Sequence, residues 1–341
     1  MKKRVELPIT EPLYSTYQFQ GPCTAIAIDN SSVRNWYFNE VMNLSCNRKF
    51  LKGYTTPDLM IPRSAWWECP HLEFVGITAR FVGGHINSII KNMIDEGYYV
   101  FFQEIDDYYV EGKSWYKKRH FGHDGLICGY DQNDKTYCLY SYDENWVYRK
   151  FWTTQASLDA GRIAMEKLGI YSNFHAFKIH STYIDFSPER VYINLKEYLD
   201  SDLKKYPLRD GENVYGIVVQ RFIAEYMETL YKGIIPYERT DKRVFRLIWE
   251  HKKVMLERIQ LVEKALGLDN SLSERYSLLV ESANTMRMIY ASHNMRRRDS
   301  VLPVIRKMLL KLIQDEKRIL NKLLAEMEKR LDHELVELSE K

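Results

Sequence analysis

The sequence has no stretch approaching the roughly eighteen uninterrupted apolar residues of a membrane-spanning helix. Its basic start, MKKRVELPITEP, has no apolar run behind it. Neither a transmembrane helix nor a secretory signal is therefore expected. Cysteine is scarce and irregularly placed: five residues, an odd number, with neither a disulfide framework nor zinc-ligand spacing. A cytoplasmic, reduced protein with no metal centre is the simplest expectation. Charge of one sign is also lacking. A net charge of +3 over 341 residues is too small to imply a nucleic-acid partner by composition. The glycines fall into no phosphate-loop or dinucleotide pattern, no HExxH occurs, and no fixed-period repeat or low-complexity linker is visible.

The composition itself is that of a globular chain long enough for two cores, 45% hydrophobic and 28% charged. Its two halves differ in their periodicity. Up to about residue 182 the elements are short and mixed. DNSSVRNWYFNE breaks near Asp29–Ser32 and is helical afterwards. HINSIIKNMIDEG (85–97) is an amphipathic helix with Ile86, Ile89, Ile90 and Met93 on one face and Gly97 at its end. YYVFFQEI (98–105) reads as a strand. DGLICGYDQNDKTYCLYSYD (124–143) reads as a hairpin turning near Asp131–Asp134. Residues 153–170 form another helix and FHAFKI a further strand.

From about 183 to 341 the pattern is almost wholly helical. Ser187 is an N-cap followed by Pro188 in the first turn. Four further helices follow, and the last, from Val301, carries a near-heptad seam of Ile305, Leu309, Leu312, Ile319, Leu323, Met327 and Leu331. That seam needs a partner helix, within the bundle or across a homodimer. The expected organisation is therefore an α+β domain over 1–182, with an antiparallel sheet, followed by a helical bundle over 183–341.

YQFQGPCTAIA contains the first candidate for chemistry. Gly21-Pro22 turns the chain, and small residues follow Cys23, as at a closely packed helix start. A thiol there is either a nucleophile with a lowered pKa, flanked by Gln18 and Gln20 as oxyanion donors, or a small buried hydrophobe. A nucleophile needs a base and an orienter. His123 stands at the head of the hairpin, and the returning strand brings Asp143 beside it. His120 is the competing base. Asp124 points to the opposite side of an extended chain, and Asp131 belongs to the turn. Two other clusters have plainer readings. HNMRRRDS (293–300) is either a receptor for an acidic surface or a solvated loop. Glu250, His251, Glu257 and Arg258 read as surface ion pairs rather than a metal box.

The order of Cys23, helix, His123 and Asp143, carried by GPCTAIA and HDGLICGYD, resembles the papain-like cysteine peptidases. With DKRVFRLIWEHKKVMLERI in the second half, the chain is similar to the butirosin biosynthesis protein H family. The resemblance implies a cytoplasmic acyltransferase of natural-product assembly, with no bound cofactor. It would move an acyl group from the phosphopantetheine thioester of an acyl or peptidyl carrier protein to an amine, forming an amide. On that reading Cys23 carries the acyl group, His123 activates thiol and amine, Asp143 orients His123, and Gln20 or Gln18 supplies the oxyanion donor. Neither glutamine has the six-residue offset of the papain-like pattern. A cysteine peptidase or amidase of the same fold, and a non-catalytic scaffold of a biosynthetic complex, are the alternatives.

Overall fold

The computed structural model describes residues 3–53, 56–180, 183–201 and 213–331. The strands are β1 (Arg4–Glu6), β2 (Ser45–Asn47), β3 (Leu72–Thr78), β4 (Tyr99–Asp106), β5 (Gly122–Asp131), β6 (Thr136–Tyr142), β7 (Tyr148–Thr154), β8 (Asn173–Ile179) and β9 (Asn213–Tyr215). The helices are α1 (Gly21–Ala27), α2 (Ser31–Glu40), α3 (Ala79–Val82), α4 (Ile86–Asp95), α5 (Gln155–Lys167), α6 (Pro188–Asp200), α7 (Val218–Tyr231), α8 (Val244–Leu266), α9 (Ser271–Arg296) and α10 (Leu302–Glu328). The chain is thus mixed α+β with a helical C-terminal region.

Two compact units result. The first comprises Met1–Arg34 and Ala65–Tyr183, the second Asn35–Ser64 and Ile184–Lys341. The second division between them falls at Tyr183 and Ile184. Residues 35–64, expected in the α+β part, belong instead to the helical unit. They deliver β2, which pairs antiparallel with β9 through Cys46 opposite Val214.

The first unit is built on one antiparallel sheet, ordered β3-β8-β4-β5-β6-β7, with β1 added to β5. β4 lies against β5 over Val100–Ile127 to Asp106–Gly122, and β1 takes over the partnership at Gly129–Asp131. Gly129 is needed there, because a Cβ would sit 2.5 Å from the Val5 carbonyl. One face of the sheet buries the apolar stripe of α4. Ile86, Ile90 and Ile94 pack against Val100, Phe102, Ile127 and Leu139, at the i, i+4, i+8 spacing of a helix face. Ile89 and Met93, expected on that stripe, are half-buried at its margin. Full burial of each isoleucine contributes about 1.5–3 kcal/mol.

The second unit packs α10 against α6, α7 and α9, and α8 against α9. The α10 seam from Ile305 to Met327 is buried within this unit, so the partner helices it requires are its own neighbours. Ser187 caps α6 by accepting from Arg190 N–H at 3.0 Å. Arg258, wholly buried, caps the far end of α2, donating to Phe38 O at 2.8 Å and Val41 O at 2.6 Å. These carbonyls would otherwise be orphaned at a helix end. Glu250, His251 and Arg258 are thus buried groups and not the surface pairs the sequence suggests. His251 bonds Met42 O at 2.8 Å. Arg246 does pair with Glu250 at i, i+4. The 293–300 cluster is likewise not a loop throughout, since α9 runs through Arg296 and ends in left-handed Arg297. No helix among the described residues is long and apolar enough to cross a membrane.

Candidate active site

The approach to Cys23 folds as its small residues require. Gln20 is the N-cap of α1, Pro22 lies in the first turn, and every residue of the helix is buried. Thr10 N–H donates to Ala25 O at 2.8 Å, and Leu13 N–H donates to Thr24 Oγ1 at 3.1 Å. The segment before the turn is therefore stitched along the helix, where only small side chains fit. Gly21 is equally crowded: a Cβ there would meet Tyr148 Oη at 3.1 Å.

Cys23 itself is completely buried. Its thiol partner is Cys69, which follows the single 3₁₀ turn Trp66–Glu68 packed on α1. The hydrogen bond with the Cys69 thiol, and then burial, push the Cys23 thiol well above the ordinary cysteine value. This reverses the expectation of a lowered pKa. The physical reason is that a buried thiol whose partner is another thiol, not a cation, gains no compensation for ionising.

Five residues upstream, Gln18 reaches the candidate base. Its Nε2 lies 2.8 Å from His123 Nε2 and 3.2 Å from His123 Nδ1. On its other side His123 Nδ1 meets Asp107 Oδ2 at 3.0 Å. Asp107 is 1% exposed and shares its charge with the equally buried Lys113, 3.5 Å away. Lys113 donates to Ser141 Oγ at 2.7 Å and to Asp124 O at 3.0 Å. Ser141 closes the circuit by donating to Gln18 Oε1. Gln18, His123, Asp107, Lys113 and Ser141 thus form one ring, closed by hydrogen bonds and the Lys113–Asp107 ion pair. His123, with a quarter of its side chain exposed, is its most open member.

Asp143 does not orient His123. The β5–β6 ladder sets Leu126 opposite Tyr140 and so runs toward His123 and Asp143, as the hairpin suggests. Beyond Tyr142, however, the Asp143 carboxylate is used by its own turn. Oδ1 accepts from Asn145 N–H at 2.8 Å and Val147 N–H at 2.9 Å, and Oδ2 meets Arg149 at 2.5 Å. Burial raises the Asp143 pKa, but the two N–H groups and Arg149 outweigh it and leave the carboxyl below its usual range. The carboxylate that meets His123 Nδ1 is that of Asp107. The signal for it lies in QEIDDYY: β4 ends at Asp106, and its pairing with β5 sets Ile105 opposite His123, so the next carboxylate falls beside the imidazole. Lys113 and Ser141 carry no comparable motif.

His120, the competing base, pairs with Asp106 at 2.7 Å. Cys128 and Cys138 are buried in neighbouring strands, as their positions suggest. Among the described residues no group of three or more His, Cys, Asp or Glu side chains is arranged to hold a metal ion. The sequence matches no protein-family model and no curated protein.

Proposed function

We propose that this chain is a papain-like cysteine acyltransferase that forms amides from carrier-bound acyl groups, with Cys23 as nucleophile, His123 as base and Asp107 as orienter. The observation that carries the reading is the buried carboxylate of Asp107 at 3.0 Å from Nδ1 of a solvent-reached imidazole. Such a carboxylate fixes the tautomer with Nδ1 protonated, leaving Nε2 to take a proton. The Cys23 thiol gives its proton to His123 Nε2 as sulfur attacks the thioester carbonyl, and the carrier's phosphopantetheine thiol leaves with that proton. An amine then attacks the Cys23 thioester, its proton passes to His123, and Cys23 is released as the amide forms.

This sequence of steps requires Gln18 to yield the Nε2 it now covers and Cys23 to leave Cys69. A Gln18 amide released from the ring is then an N–H donor near the new oxyanion, the role expected of it. The test is intact-mass analysis after incubation with an acylated carrier protein. An acyl adduct is expected on the wild type and absent from Cys23→Ala. Loss of a peptide substrate without any carrier would mark a peptidase instead. The second reading, a non-catalytic scaffold, is favoured by the Cys23 thiol held neutral against Cys69. It predicts no adduct with any thioester donor.

A further inference from the structure

The proposed chemistry leaves His120 unused, although it is as well supported as His123. Its Nδ1 donates to Asp106 Oδ2 at 2.7 Å. Asp106, 3% exposed, is fixed in turn by Phe121 N–H at 2.9 Å and Tyr108 N–H at 3.1 Å on Oδ1. The Tyr108 ring stacks on the imidazole at 4.2 Å. Nδ1 is thereby committed, and Nε2 is the ring nitrogen left to face a ligand.

His120 and Asp106 line a cleft of about 820 Å³ in the first unit, within the size range of small-molecule sites. Its opposite wall is the apolar side of α5, including Ile163, Ala164, Met165 and Leu168. Ile163 and Leu168 are exposed large apolar side chains. Gly122, between Phe121 and His123, forms part of the lining. A Cβ on Gly122 would lie 2.7 Å from both Glu104 Oε2 and the Met165 methyl group, so the Glu104 carboxylate stands beside that part of the lining. Glu104 achieves this from left-handed backbone, φ +60°, at the bulge between Phe102 and Ile105. Strain of that kind in a non-glycine residue persists where the surroundings hold it, often at ligand sites. The lining itself carries one carboxylate, Asp106, and one lysine, Lys167, and Glu104 adds a second carboxylate beside it.

We infer that this cleft binds an amphiphilic amine, its ammonium group against Glu104 and its apolar body along α5. The amine's role as the acyl acceptor rests on the proposed transfer, because Phe121 and Gly122 of the lining adjoin His123; the binding itself does not.

Titration calorimetry of the full chain with n-hexylamine, hexan-1-ol and hexanoate tests it. Hexylamine is expected to bind with a Kd below about 1 mM, hexanol about tenfold more weakly, and hexanoate more weakly still. Glu104→Gln should weaken hexylamine about tenfold and leave hexanol unchanged. Ala164→Trp, which fills the cleft from its lining, should abolish both. No hexylamine binding, hexanoate binding as tightly as hexylamine, or undiminished binding by Ala164→Trp would overturn the inference. Hexylamine binding by a chain that never acquires an acyl group on Cys23 would leave the cleft standing and remove the transfer reading. An acyl-enzyme without hexylamine binding would do the reverse.

Discussion

Each unit contains a buried lysine paired with a buried carboxylate, yet the two networks end differently. In the helical unit Lys252 Nζ lies 2.7 Å from both Glu316 oxygens, and both side chains are completely buried. Glu316 also accepts from Tyr276 Oη at 2.6 Å and Gln220 Nε2 at 2.7 Å, and Tyr198 Oη joins at 3.3 Å. The cluster therefore takes one side chain from each of α6, α7, α8, α9 and α10. Burial lowers the Lys252 pKa, and Glu316 offsets this only in part. In the α+β unit Lys113 and Asp107 are just as buried, but their ring includes His123, which reaches solvent. The first network has nowhere to pass a proton and serves to hold five helices in register. The second presents a carboxylate-paired imidazole at its rim. Burial alone therefore does not separate structural from chemical polar groups; the exit does.

The sharpest way to break this comparison is Glu316→Ala. Leaving Lys252 buried and unpaired should cost about 3–5 kcal/mol, read from urea denaturation. The double change Lys252→Met with Glu316→Leu should recover most of it, since a packed apolar replacement removes the unpaired charge. A loss under about 1 kcal/mol for Glu316→Ala would mean the cluster does not pin the helices.

A smaller effect is expected at Cys69. The Cys69 thiol is the largest cause of the raised Cys23 pKa, with burial second. Near neutral pH the wild-type Cys23 should therefore react slowly with iodoacetamide, faster as pH rises toward its raised pKa. Cys69→Ala lowers that pKa toward the ordinary value. It should speed alkylation near pH 8, because a larger fraction of the thiol is then thiolate. An unchanged rate would show that burial, and not the second thiol, keeps Cys23 silent.

Much of this was legible in the residues. Helical periodicity marked α4, α5 and α6 to α10, and Ser187 and Gly97 stood at the expected ends: Gly97 has φ +87° and Ser187 caps α6. The strands β3 and β7 were not legible. LEFVGIT and YRKFWTT lie at the two edges of the sheet, where exposed and charged positions blur the alternation that marks a strand. The assignment of 35–64 to the helical unit was hidden because α2 runs unbroken through the boundary at residues 34 and 35. Asp143 shows how register can place a residue without assigning its role: a D-x-N turn claims the carboxylate through Asn145 N–H. Asp107 was missed because its neighbour His123 lies across β4–β5, a pairing between strands separated by fifteen intervening residues. Sequence proximity favoured the hairpin partner instead.

The central claim is that Asp107, and not Asp143, makes His123 a base for Cys23. Single-turnover acylation of Cys23 by an acyl-carrier thioester, followed by intact mass, tests it directly. Asp107→Asn should slow acylation by about 10³-fold or more, the scale of losing the correct tautomer. Asp143→Asn should leave the rate within about threefold of wild type, because its carboxylate serves the β6–β7 turn. Equal rates for Asp107→Asn and wild type, or a collapse on Asp143→Asn with Asp107→Asn unaffected, would contradict the account.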